Sequence, residues 1–183
     1  MMYILFTALL TLTFASEAQL YKNKDNGLSV DFFSETPVEN IQAHNQKVTS
    51  LINLQTDSLV FKITQTDFKF KNSLMEEHYN ENYVESEKYP FSVFRGKLDQ
   101  KIDPKSNKVY KVKVNGILDL HGVRQKREIE GTVEVKNNVV KLHSEFFVKL
   151  VDHKIEVPKL VFEKIAEAVK VTVDGEYMFF KMK

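Results

Sequence analysis

The chain has 183 residues, of which 43% are hydrophobic and 28% charged, and its formal net charge is +1. This length suits one globular domain with a substantial core, and a near-neutral chain with dispersed lysines gives no electrostatic basis for nucleic-acid binding. The lack of cysteine excludes disulfides, thiolate metal sites, a cysteine nucleophile and a thioether lipid anchor.

The first 18 residues have the composition of a secretory signal peptide. Residues 1–15 carry no charged side chain, and their apolar run of about a dozen residues is too short for an anchor that spans a bilayer of about 30 Å. Ser16 and Ala18 supply the small residues that a signal peptidase reads. We therefore predict a cleaved signal peptide at 1–18, a single domain at 19–183 and a periplasmic or secreted location.

Alternation of apolar and polar residues dominates the rest of the chain. Such runs are typical of antiparallel β-strands with one buried and one solvated face. The pattern predicts about eight strands, at 28–34, 48–54, 58–66, 91–102, 109–121, around 129–135 and 140–150, and over the C-terminal run 171–179.

Three turns divide the second half of the chain into hairpins. They are predicted at 103–107, at His121-Gly122-Val123 and at Asn137-Asn138, where asparagine tolerates the positive φ of a two-residue loop. Gly116 and Gly131 fall in phase with the apolar positions of their strands, which favours bent strands and hence a closed barrel over a sandwich.

The apolar phase of these strands predicts which side chains point inward. This set carries almost no charge, so the interior of the barrel should be apolar. Its members are Leu28, Val30, Phe32, Ile52, Leu59, Phe61, Ile63, Phe94, Leu98, Val112, Val114, Leu118, Leu120, Ile129, Val133, Leu142, Phe146, Val148, Val171, Val173, Tyr177 and Phe179.

The segment LMEEHYNENYVESEKYP (74–90) interrupts the strands and predicts an inserted helix over about 74–85. Ser73 and Glu76 match a capping box, and Pro90 ends whatever precedes it. A second, shorter helical turn is predicted near 162–168, where the sequence FEKIAEA is rich in helix formers.

Helical phasing places Met75, Tyr79 and Tyr83 on one inward stripe, edged by His78 and Asn82. Most of the glutamates then face solvent, which disfavours acid–base catalysis by paired carboxylates. No HExxH spacing accompanies the histidine and no nucleophile motif is present, so we predict no metal site, no cofactor and no enzymatic activity.

Three motifs follow one another behind this acidic segment: KYP at 88–90, FRG at 94–96 and GILDLHGV at 116–123. Their order resembles the YceI-like family, a lipocalin-like group of exported proteins, in its short variant. The resemblance implies an all-β, eight-stranded antiparallel lipocalin-like barrel whose interior holds a polyisoprenoid or a similar amphiphile.

Two functions remain open from the sequence. In the first, the chain is an exported lipid-binding protein that carries or stores an isoprenoid or long-chain lipid, with peripheral membrane contact during exchange. In the second, side chains fill the barrel, and the acidic helix and outer face recognise a protein partner. The oligomeric state is open as well, a dimer included.

For a lipid site, the expected ligand-binding residues are inward aromatic and aliphatic side chains near the helix-covered mouth, with polar groups for a headgroup. They are Phe32, Phe61, Phe68, Tyr79, Tyr83, Phe94, Leu118 and Phe146, and the polar His78, Asn82 and His121.

Overall fold

The structure, a computed structural model, describes residues 20–157 and 165–181. Over these residues the chain forms ten strands and one short α-helix. The strands are β1 (Leu20–Glu35), β2 (Asn40–Asn45), β3 (Thr49–Asn53), β4 (Ser58–Thr64), β5 (Lys69–Phe70), β6 (Phe91–Leu98), β7 (Val109–Leu120), β8 (Val123–Lys136), β9 (Val139–Lys149) and β10 (Ala168–Phe179), and the helix α1 is Ser73–His78.

Antiparallel pairing closes eight of these strands into a barrel. The order β10-β9-β8-β7-β6-β4-β3-β1 returns to its start through a β1–β10 pairing. The remaining two, β2 and β5, continue outward from β1 beyond the closed ring. The predicted eight-stranded lipocalin-like barrel is therefore confirmed, with two strands added to it.

The added strands and the first part of β1 were not predicted. In β2 the inward positions are held by Ile41, Ala43 and Asn45, so the strand lacks a run of large apolar residues. The start of β1 is polar, and its register with β10 shifts between Asn23 and Leu28. This bulge breaks the alternation that would mark the strand in the sequence.

The two tight hairpins are confirmed by their backbone angles. Asn137 and Asn138 have φ of +50° and +64°, and His121 and Gly122 have +52° and +70°. Left-handed angles at both loop residues match the twist of the flanking strands, so each pair joins its strands directly.

The barrel core agrees with the predicted inward set except at the end of β10. Tyr177 is fully buried and its hydroxyl donates to Ser50 Oγ at 2.9 Å. Phe179 was predicted to point inward but is 50% exposed. It lies in the last residue pair with β1, beside Tyr21, where it packs edge-on against that ring at the barrel's rim.

The inserted helix is shorter than predicted. Regular α-helix ends at His78, and a single π-helical turn, Tyr79–Tyr83, follows. The predicted capping box is wrong: the Asn72 side chain caps the helix by accepting from the Leu74 amide. Glu76 instead accepts from Lys69 Nζ at 2.6 Å and from the Phe70 amide. We call residues 72–85 the flap.

The predicted signal peptide at 1–18 lies outside the described residues. Residues 162–164 of the second predicted helical turn, 162–168, lie outside them as well. The rest of that turn is not helical: residues 165–167 form an irregular bend, and Ala168 opens β10. Within the described ranges no helix combines the length and the hydropathy needed to cross a membrane.

Candidate functional site

A cavity of about 420 Å³ lies between one end of the barrel and the flap. Its volume falls in the range of about 300–1,000 Å³ usual for small-molecule sites. The wall is mostly apolar. Described residues that line it include Val30, Phe32, Ile41, Ile63, Phe68, Phe70, Leu74, Met75, Tyr79, Tyr83, Val84, Leu118, Leu120, Phe146, Val148, Leu150, Ile155, Ile165, Val169 and Val171.

An aromatic cluster forms the part of this wall beneath the flap. Tyr79 stacks on Phe32 with ring centroids 5.5 Å apart, and it meets Phe68 and Phe70 at 5.6 and 5.1 Å. Phe32 also contacts both phenylalanines. Pairs of this geometry add about 0.5–1.5 kcal/mol each beyond simple burial, so the cluster holds the middle of the flap against the barrel.

A short chain of neutral polar groups sits inside the apolar wall. The Tyr79 hydroxyl donates to Gln65 Oε1 at 2.6 Å, and Gln65 Nε2 donates in turn to Ser92 Oγ. Gln65 and Ser92 are both buried. Burial raises the pKa of the Tyr79 hydroxyl far above its usual range, so the phenol stays neutral and remains a donor.

The mouth of the cavity carries the more exposed polar residues. Glu39, Asn72 and His78 line it alongside Leu74, which is 54% exposed. Deeper in, Ser34 Oγ accepts from the Ala166 amide at 2.8 Å. The polar groups at the mouth and the apolar wall below them suit a ligand with a polar head and an apolar tail.

A second, smaller hollow of about 80 Å³ lies deeper in the barrel. Val30, Ile63, Leu118, Phe146 and Val171 line both hollows and form the wall between them. We call these five residues the waist.

Most of the predicted site residues lie around these two hollows. Seven line the larger hollow: Phe32, Phe68, His78, Tyr79, Tyr83, Leu118 and Phe146. Of these, Leu118 and Phe146 also line the smaller hollow, and Phe61 and Phe94 line the smaller hollow alone. Asn82 and His121 line neither.

The two residues outside the cavity have other surroundings. Asn82 is exposed on the outer side of the flap. His121 lies behind the wall, where its ring nitrogens face Glu85 and the His153 carbonyl. No contact with the cavity therefore supports a headgroup role for either.

Several lining residues were missed at the site. Phe70 stands two positions after Phe68, and this period-two spacing was the signal that both point to the same face. Val84 faces inward because the π turn bonds its amide to the Tyr79 carbonyl at 3.0 Å, which brings it over Tyr79. Gln65 was missed because it is polar, so the hydrophobic pattern gives no indication that it faces the interior.

Potential metal ligands are dispersed in this chain. Across the part of the protein that the structure describes, no group of three or more histidine, aspartate or glutamate side chains is arranged to hold an ion. The chemistry available around the cavity is thus burial of apolar surface with a few neutral hydrogen bonds.

Comparison with known proteins identifies the family of this chain. The sequence model of the YceI-like domain matches residues 21–177, which is nearly all of the predicted mature chain. No curated protein matches the sequence significantly.

Three solved structures show the same fold at low identity. A polyisoprenoid-binding domain from Saccharophagus degradans, implicated in plant cell wall breakdown, is 14% identical with a TM-score of 0.76 over 87% of this chain and 98% of its own. BcnA from Burkholderia cenocepacia is 12% identical, with a TM-score of 0.71 over 84% and 98%. The YCEI protein of Campylobacter jejuni is 14% identical, with a TM-score of 0.55 over 98% and 94%.

Proposed function

This chain belongs to the YceI-like domain family, and from that premise we propose that it binds a polyisoprenoid or a similar long-chain amphiphile inside its barrel. The observation that carries the proposal is the apolar cavity of about 420 Å³ beneath the flap. The polyisoprenoid-binding domain of Saccharophagus degradans, which shares the fold, supports the same ligand class.

The energetics of burial favour a chain-like ligand. Each methylene removed from water contributes about 0.8 kcal/mol, so about ten of them contribute about 8 kcal/mol. That corresponds to a dissociation constant near 1 μM before the entropic cost of binding is subtracted. Contacts with the aromatic cluster and one headgroup hydrogen bond would offset part of that cost.

The role proposed is binding, for carriage or storage, rather than catalysis. The ligand would enter with its tail towards the waist and its head near Glu39, Asn72 and His78. Exchange with a membrane would take place at this mouth, since Leu74 both lines the cavity and is 54% exposed.

Purification without detergent, followed by organic extraction and mass spectrometry, tests the binding proposal. We expect a long-chain lipid in near-stoichiometric amount, and binding of cis-parinaric acid once that lipid is removed. Clean extracts from protein that also fails to bind the fluorescent acid would overturn it and would favour the filled barrel that recognises a protein partner.

We also propose that the protein is exported and acts in the periplasm or outside the cell. The charge-free, apolar residues 1–15 support this. Expression of the full chain, fractionation and intact mass measurement provide the test. A mature protein that begins at Gln19 in the exported fraction is the expected result, and full-length protein in the cytoplasm would contradict it.

A further inference from the structure

Residues of two family motifs, KYP and GILDLHGV, contact each other outside the cavity. His121, in the β7–β8 turn, directs its Nε2 to Glu85 Oε2 at 2.7 Å and its Nδ1 to the His153 carbonyl oxygen at 3.0 Å. The Tyr89 ring of the KYP motif meets the imidazole edge-on, with centroids 4.6 Å apart. The His121 side chain is only 10% exposed.

The His121 side chain is held at both of its ring nitrogens. Nε2 faces a side-chain oxygen of the flap, and Nδ1 faces a backbone oxygen of the segment that follows β9. The imidazole is therefore fixed between two parts of the chain.

The two acceptors belong to segments on different walls of the cavity. Glu85 ends the flap, next to the lining residue Val84. His153 belongs to the 3₁₀ turn Val151–His153, between the lining residues Leu150 and Ile155. One imidazole thus connects the flap to the 3₁₀ turn that follows β9.

Other ionisable groups surround this contact from each packed element. On the flap side, Lys88 Nζ lies 3.9 Å from Glu85 Oε1. Arg124 pairs with Asp119 beside the turn. Asp152 and Arg127 lie near the His153 imidazole and near each other. Since burial lowers the pKa of the His153 imidazole, that ring is neutral and does not compete with His121 for Glu85.

We infer that His121 is a positioning residue whose contacts with Glu85 and with the His153 carbonyl fasten the flap to the 3₁₀ turn Val151–His153 and so set how often the flap opens. The inference rests on the proposed lipid function only for what passes through the mouth. The flap contact itself is present whatever the cavity binds.

Two measurements test the inference on the whole mature protein. Hydrogen–deuterium exchange of amides 74–84 reports flap opening in protein stripped of lipid. Stopped-flow transfer of cis-parinaric acid to phosphatidylcholine vesicles reports release through the mouth. Loss of the His121 contacts should raise both rates roughly tenfold, the size expected for one hydrogen bond.

His121→Gln should raise both rates, and its core amides in β7 and β8 should exchange as in wild type. His143→Gln is the matched control, because His143 also contacts a carboxylate, Asp174, but on the outer face of the barrel. It should keep the wild-type rates. Glu85→Gln retains an acceptor without charge and should give part of the effect, which provides the test if His121→Gln does not fold.

Flap exchange that is the same in wild type, His121→Gln and Glu85→Gln would overturn the inference. Flap exchange that depends on His121 in a protein that carries no lipid would support the inference while rejecting the proposed function. Lipid binding with a flap indifferent to His121 would do the reverse.

Discussion

The His121 side chain hydrogen-bonds to the backbone of His153, and the His153 side chain bonds to the backbone on either side of the His121-Gly122 turn. His121 Nδ1 lies 3.0 Å from the His153 carbonyl oxygen. His153 Nδ1 lies 3.3 and 3.2 Å from the carbonyl oxygens of Leu120 and Val123. His153 Nε2 is buried and has no partner among the described residues. Side-chain hydrogen bonds therefore join the two turns in both directions.

The first prediction concerns acid stability. Burial holds the pKa of His153 below its ordinary value in the folded state, so the unfolded chain binds a proton more readily. The stabilising contribution of the neutral ring is complete above the unfolded pKa of about 6.5 and is lost as the pH falls towards the folded value. Urea unfolding between pH 8 and pH 5 should show stability decreasing with acidification.

His153→Asn is the matched variant for this prediction, because asparagine keeps a donor near the Nδ1 position and does not titrate. The variant should be less stable than wild type at pH 8, and the difference should shrink as the pH falls. A difference that stays constant across the series would show that His153 does not couple to protons.

The second prediction concerns the waist. Val171→Trp places an indole where the two hollows meet. If it denies the ligand about five methylene groups, affinity should fall by roughly a thousandfold, measured as displacement of cis-parinaric acid. Thr172→Trp is the control on the same strand, since the Thr172 hydroxyl faces Glu145 on the outer surface. Equal affinity in the two variants would place the ligand elsewhere.

The third prediction concerns the polar chain in the wall. Tyr79→Phe keeps the ring in the aromatic cluster but leaves Gln65 Oε1 without its donor. An unsatisfied buried acceptor costs about 1–3 kcal/mol, to be measured by urea unfolding. Tyr83→Phe, in the same π turn, removes a hydroxyl with no hydrogen bond to any described residue, so its effect should stay within about 0.5 kcal/mol. A reversal of this order would contradict the assignment.

The fourth prediction tests the helix cap. Asn72→Ala removes the side chain that accepts from the Leu74 amide, and loss of such a cap costs about 0.5–2 kcal/mol. Faster amide exchange at the start of α1 is the direct measurement. Ser73→Ala should leave that exchange near the wild-type rate, and the opposite result would restore the capping box inferred from sequence.

Alternation was sufficient to predict the barrel, because each barrel strand buries one face and exposes the other. It failed where inward positions are small or polar, as at Ala43 and Asn45 in β2, and where the bulge after Asn23 shifts the phase of β1. The prediction that Phe179 points inward was wrong for a different reason. The alternation of apolar and polar residues in β10 continues past the end of the barrel, so the position of a residue in that alternation does not by itself show that it is buried.

The cavity wall was predicted in part. Large aromatic residues on inward phases were found, since their size and spacing are visible in the sequence. The switch from α to π hydrogen bonding after His78 was not, and it decides that Val84 faces inward. The role of His121 also stayed hidden, because its partners lie 36 and 32 residues away along the chain.

The turn beside His121 has a consequence for which sequences this fold accepts. Gly122 has a φ of +70°, and a Cβ there would stand 2.5 Å from Cε1 of Tyr89. A library randomised at position 122 alone should return glycine. One randomised at 89 and 122 together should admit side chains at 122 only in clones that have lost the aromatic ring at 89. The KYP and GILDLHGV motifs therefore constrain each other at positions 89 and 122 and should vary together.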